Sequence, residues 1–163
     1  TYSLALPHSH PLARDPTRLY NAVHDALLGV LSANGIAAAR RPSVRTAEAS
    51  NPDFLCFLRE TEGDVLLDGV KICGSAQRRH RGAVLQHGSL LLARSEFAPE
   101  LPGILELTGR TLAPGELANA WADEIVGALK LSRENGQLSV VEQAAIQQLV
   151  DTRYTQQGWT ERR

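Results

Sequence analysis

Residues 69–92 read Gly69-Val70-Lys71-Ile72-Cys73-Gly74-Ser75-Ala76-Gln77-Arg78-Arg79-His80-Arg81-Gly82-Ala83-Val84-Leu85-Gln86-His87-Gly88-Ser89-Leu90-Leu91-Leu92. Val70-Lys71-Ile72 has strand composition and runs into Gly74-Ser75-Ala76, which reads as a small-residue turn. A second strand is expected over 83–93, apolar enough to be central, carrying Gln86-His87-Gly88-Ser89. Upstream, Val65-Leu66-Leu67 joins the first strand through Asp68-Gly69, a strong signal for a tight hairpin. A lysine beside Gly-Ser-Ala suits a carbonyl or an anion. Its ammonium offers three donors, and glycine lets the backbone approach a ligand closely.

Working outward, Thr1–Leu6 alternates weakly and reads as a strand. Asp15 caps a helix with Pro16 in its first position, and Leu19, Val23, Leu27, Val30 and Leu31 share one helical face. Asn34-Gly35 ends that helix. Residues 40–52 are polar and irregular, and Phe54-Leu55-Cys56-Phe57-Leu58 has strand composition. Leu117, Trp121, Ile125 and Leu129, spaced by four, predict a helix over 114–130. Ser139 and Glu142 form the capping box of a last helix, whose apolar side holds Val140, Ala144, Ile146, Leu149 and Val150. Strand runs interleaved with helices predict an α+β fold, a mixed β-sheet with packed helices, in a single domain over 1–163.

The composition excludes several classes. With 43% hydrophobic and 21% charged residues the chain can bury a real core. A net charge of −1 offers no electrostatic case for nucleic acid or a membrane surface. No apolar run approaches the ~18 residues of a membrane span. Two cysteines, Cys56 and Cys73, read as reduced thiols of a cytoplasmic protein. His8, His10, His24 and His80 show no metal-ligand spacing with cysteine, so no metal site is expected.

The pattern Lys-Ile-x-Gly-Ser-Ala-Gln, followed after a short spacer by Gln-His-Gly-Ser-Leu-Leu-Leu, resembles the lipoate–protein ligase and octanoyltransferase superfamily, related to the biotin–protein ligases. The match is specific at Lys71, Gly74, Ser75, Ala76, Gln86, His87 and Gly88, and a weaker likeness runs from Thr1 to about Arg163. The resemblance implies that fold, an acyl-transfer chemistry, and a pocket built from Gly74, Ser75, Ala76, Gln86, His87 and Gly88.

Each candidate has a plainer reading beside it. Lys71 alternates in its strand with Val70 and Ile72 and so shares a face with Cys73; an exposed hairpin lysine is the ordinary case. The resemblance implies instead that Lys71 contacts the carboxyl or acyl-carbonyl oxygen of the substrate. Cys56, between Leu55 and Phe57, is by composition a small buried apolar residue. The resemblance implies that it stands where the cysteine-dependent octanoyltransferases carry their nucleophile, with Lys71 as the cation that lowers its pKa. Cys73 is the better nucleophile on geometry alone, but its place in the family belongs to a small residue, so it ranks below Cys56. His87 is a base or a packed residue, and the resemblance favours binding. The Arg78-Arg79-His80-Arg81 run is ordinarily solvated surface, and beside such a pocket it also suits an acidic carrier or its phosphate.

The resemblance thus implies an acyltransferase of lipoate metabolism. It would pass an octanoyl or lipoyl group through a Cys56 thioester to a lysine of a lipoyl-domain protein. The donor would be an acyl carrier protein or a lipoylated protein, and no cofactor is needed. Alternatives are an ATP-dependent lipoate–protein ligase, using ATP and Mg²⁺, and a non-catalytic or half-enzyme module that binds lipoyl domains. The chain has no methionine, even at position 1. It is therefore expected to be part of a longer polypeptide, and the resemblance implies that it lacks the amino-terminal strands and the Arg-Arg-x-x-Gly-Gly segment of the family, whether that segment was cleaved, is disordered or sits on a second chain.

Overall fold

The computed structural model of the chain describes residues 1–43 and 56–161, with the backbone alone at Cys56 and Thr160. The chain divides into two compact units, Thr1–Ser132 and Arg133–Arg163.

The first unit is built on a five-stranded sheet: β1 (Tyr2–Pro7), β2 (Ala39–Arg40), β3 (Val65–Leu67), β4 (Val70–His80) and β5 (Ala83–Leu90), in the order β1-β5-β4-β3-β2. The α+β class holds. Among the described strands the expected mixed sheet consists of antiparallel pairs. The turns explain this. Asp68-Gly69 (φ 50° and 78°) and Arg81-Gly82 (φ 45° and 76°) put two successive left-handed residues between strands, as a two-residue hairpin requires.

Two sequence expectations are corrected. Gly74-Ser75-Ala76 does not turn; β4 runs straight through it to His80, paired with β5 from Cys73↔Leu90 to His80↔Ala83. Residues Cys56–Leu58 form a 3₁₀ turn rather than a strand, while Phe54 and Leu55 lie outside the described residues.

Helix α1 (Pro16–Ala33) begins as expected, with the Asp15 carboxylate accepting from Arg18 N at 3.0 Å and Pro16 in the first position. Its fully buried Leu19, Leu27 and Leu31 pack into a core shared with Leu6, Val65, Ile72 and Val84 of the strands. Each such side chain contributes about 1.5–3 kcal/mol by leaving water. Helix α2 (Ile104–Thr108) is short. Helix α3 (Pro114–Leu129) is pinned to α1 where Trp121 Nε1 donates to Val23 O at 3.0 Å. His10 joins the same layer, its Nε2 donating to Leu129 O at 3.2 Å.

The second unit holds α4 (Val140–Leu149), a π-helical turn (Val150–Tyr154) and α5 (Gln157–Thr160). The Ser139–Glu142 capping box forms as expected. The apolar residues of α4 are not buried: Val140, Val141, Ile146 and Leu149 are all exposed.

Candidate active site

The site is organised by one irregularity. Leu66 pairs with Lys71 and Val65 with Cys73, so Ile72 is an extra residue in β4, a β-bulge. The bulge breaks alternation: consecutive Ile72 and Cys73 are both fully buried, while Lys71 turns the other way. The expectation that Lys71 and Cys73 share a face is therefore corrected. Beyond the bulge, β4 alternates normally. Gly74, Ala76 and Arg78 lie on one face with Ser3, Ala5, Leu85 and His87, of which all but Gly74 are exposed. The other face carries Ser75, Gln86 and Tyr2 against α1.

Lys71 is not a solvated hairpin lysine. Its side chain is only 9% exposed, and Nζ pairs with Asp64 Oδ2 at 2.8 Å. Nζ also donates to Arg59 O at 2.7 Å and lies 5.3 Å from the centre of the Phe57 ring. The lysine thus clasps the segment that Cys56 opens. Asp64 is fully buried and well partnered. Oδ1 accepts from Tyr20 Oη at 2.6 Å, and Oδ2 accepts from Thr61 N at 2.8 Å and Thr61 Oγ1 at 3.2 Å. Burial, with the Asp64 carboxylate adding to it, holds the Tyr20 phenol well above its usual range, so the phenol stays a donor.

Two glycines make room for this arrangement. A Cβ on Gly74 would stand 2.5 Å from Lys71 Cε. A Cβ on Gly88 would stand 2.5 Å from both Gly74 O and Ser75 Oγ. Gly74 looks like part of a turn but is small because Lys71 and Asp64 approach it.

On the covered face a directed hydrogen-bond chain runs through the layer. Gln77 Nε2 donates to Gln86 Oε1 (2.8 Å), and Gln86 Nε2 donates to Tyr2 Oη (2.8 Å). Tyr2 Oη donates to Ser75 Oγ (2.5 Å), and Ser75 Oγ donates to His24 Nε2 (2.7 Å). His24 Nδ1 donates to Gly63 O (2.7 Å), which assigns the tautomer that accepts at Nε2. Burial lowers the His24 pKa and raises that of Tyr2, keeping both neutral.

A pH dependence follows. The unfolded chain takes up a proton at His24 near its ordinary pKa of ~6.5, and the folded chain resists it, so this contribution to stability is complete above pH ~6.5 and falls as pH drops below it. Thermal melts between pH 7.5 and 5 should show a steeper loss for the native chain than for His24→Asn. Equal slopes would remove His24 from the acid response.

The predicted residues are thus sorted. Lys71, Gly74, Ala76 and His87 gather on the open face. Ser75 and Gln86 lie in the buried chain, and Gly88 serves packing between strands. The Cys56 side chain lies outside the described residues; its backbone opens the turn whose Phe57 and Arg59 meet Lys71. Cys73 is held against His24, Sγ to Nε2 4.0 Å, and burial pushes its thiol up to about 12. That makes it a poor nucleophile. Asp64, Tyr20 and His24 escaped the sequence reading. A faint signal existed in Tyr20 and His24, two polar aromatics four apart beside the apolar stripe of α1.

Among the described residues no cluster of His, Cys, Asp and Glu stands ready for a metal, and no helix is long and apolar enough to cross a membrane. An apolar groove of about 360 Å³ between β1 and α3 is lined by Leu4, Leu90, Leu117, Trp121 and Ile125, with none of Lys71, Gly74 or His87.

Comparison with known proteins agrees with the fold. The octanoyltransferase LipM of Geobacillus kaustophilus is 26% identical over 189 residues, covering 100% of this chain and 68% of that protein. A Thermoplasma acidophilum lipoate protein ligase structure with bound lipoic acid superposes with a TM-score of 0.67 at 18% identity, covering 96% of this chain and 62% of that one. A biotin protein ligase of Aquifex aeolicus with biotin superposes at 0.57 and 13% identity, covering 78% and 48%. The chain therefore spans roughly two thirds of the transferase and less of the two ligases. The family model for the lipoyl protein ligase A/B catalytic domain matches residues 1–100, and the chain belongs to that family.

Proposed function

We propose that this chain carries the acyl-transfer site of an octanoyl- or lipoyl-transferase acting on lipoyl-domain proteins. The observation that supports it best is the Lys71 clasp: a nearly buried ammonium, fixed by Asp64, that holds the Cys56-led segment at the edge of an open, small-residue face. The similarity to LipM octanoyltransferases supports the transferase over the ligase.

In this reading the Cys56 thiolate attacks the carbonyl carbon of a carrier-bound thioester. A new C–S bond forms, and the carrier thiolate leaves and takes a proton. The neutral amine of an acceptor lysine then attacks the Cys56 thioester. The amide C–N bond forms, Cys56 leaves as thiolate, and the amine proton passes to solvent. Lys71 exchanges its Arg59 carbonyl partner for the developing oxyanion while the Asp64 pair stays in place as a pivot. No cofactor enters these steps; an ATP-dependent ligase would instead activate the free acid with ATP and Mg²⁺.

The test supplies the full protein and a lipoyl-domain acceptor with either octanoyl-carrier protein without ATP, or free octanoate with ATP and Mg²⁺. Product is expected from the carrier thioester alone. Efficient ATP-dependent modification, indifferent to Cys56→Ala, would place the chain with the ligases.

A further inference from the structure

The charges of this chain are segregated. It has 18 acidic residues, yet none lies in 1–14 or 69–95. These stretches hold β1, β4 and β5, so three adjacent strands carry no carboxylate. The same stretches carry Lys71 and, at the β4–β5 hairpin, Arg78, Arg79 and Arg81, all three exposed. Among the described residues no carboxylate pairs with any of the three arginines.

The hairpin is also anchored. Its turn is the two-residue Arg81-Gly82 type, and His8 N donates to Gly82 O at 2.8 Å, tying it to the end of β1. Arg78 and His80 rim a depression of about 370 Å³ that is also lined by Ala5, Ala83 and Leu85. Arg78 stands on the open face, Arg79 on the opposite face and Arg81 in the turn, so the tip of the hairpin is basic on both sides. Such a tip, with no carboxylate paired to it among the described residues, suits an acidic protein surface, where complementary charge speeds encounter and selects partners.

We propose that this arginine hairpin docks the acidic surface of the acyl-carrier donor, whose flexible arm then lies along the open face to Lys71. The inference rests on the acyl-transfer reading above. Distance selects the donor over the acceptor. From Arg78 to Lys71 is seven residues, about 23 Å of strand at ~3.3 Å per residue. An acceptor lysine reaches only about 6 Å from its backbone, five bonds of ~1.5 Å, and so docks near Lys71 itself. A carrier seated at the hairpin can cover that span only with a long flexible arm, and the test below separates it from an acceptor domain broad enough to touch both places. The file between the two ends, Ala76 and Gly74, has no large side chain to obstruct one.

The test compares the full protein with Arg78→Glu/Arg79→Glu, and with Arg78→Gln/Arg79→Gln as a milder step. Octanoyl-carrier protein is titrated at low and high salt, and transfer is measured from both the carrier and octanoyl-pantetheine, which has no protein surface. The double Glu variant should bind the carrier about ten-fold or more weakly and lose most of the salt dependence. The Gln variant should fall between. Transfer from octanoyl-pantetheine and the KM for the lipoyl domain should not change. Unchanged carrier affinity with normal transfer from octanoyl-pantetheine overturns the docking surface alone, as does a loss confined to lipoyl-domain affinity. Absence of transfer from either donor overturns the transfer reading and the docking surface with it.

Discussion

Replacing Lys71 with alanine should reduce acyl transfer by ~10²-fold or more, the usual cost of losing one oxyanion donor. It should also destabilise the fold. The substitution leaves the buried Asp64 carboxylate without its cation, and breaking a buried pair from one side costs about 3–5 kcal/mol. The two effects separate by design. Lys71→Met/Asp64→Asn removes both charges, and replacing a whole buried pair is often nearly neutral. The double variant should therefore regain most of the lost melting temperature while staying inactive. Lys71→Arg should fail as well, because a planar guanidinium does not fit over Gly74 as the lysine stem does. If the double variant recovers activity along with stability, Lys71 is a structural residue and the oxyanion role is lost. Asp64→Asn alone should lower activity by misplacing the ammonium, with Tyr20 and Thr61 still able to hold the amide.

Cys56→Ala should abolish the covalent intermediate and lower transfer on the order of 10³-fold or more, as loss of a nucleophile does when the rest of the site remains. Intact-mass measurement after mixing the protein with octanoyl-carrier protein should show one acyl adduct. It should vanish in Cys56→Ser and persist in Cys73→Ser. The surroundings of Cys73 support this order: its thiol is buried, its pKa is pushed up to about 12, and its neighbour His24 is a neutral histidine already accepting from Ser75. An adduct that survives Cys56→Ser and disappears in Cys73→Ser would reverse the assignment. The residue of the Cys73→Ser variant sits in the same core as Val65 and Ile72, so a modest loss of stability is expected there without loss of the adduct.

By itself the sequence determined several features whose cause is local. Asp15 with Pro16, Ser139 with Glu142 and Asp68 with Gly69 each act within four residues, so their caps and turn are where the spacing puts them. The apolar stripe of α1, the four-residue spacing in α3 and the family were equally legible, since periodicity and a dense motif survive without three-dimensional context. Only the tertiary structure decided the rest. Gly74-Ser75-Ala76 reads as a turn because small residues usually mark one. Here Gly74 is small because the Lys71 side chain and the Asp64 carboxylate stand where its Cβ would be. The bulge at Ile72 depends on register against β3, which no alternation pattern within β4 reveals, and it moved Cys73 to the face opposite Lys71. Asp64, Tyr20 and His24 come from a loop and a helix up to 55 residues from the strand positions they bond. Such partners are chosen by packing across elements, and a linear chain records the residues without recording who meets whom.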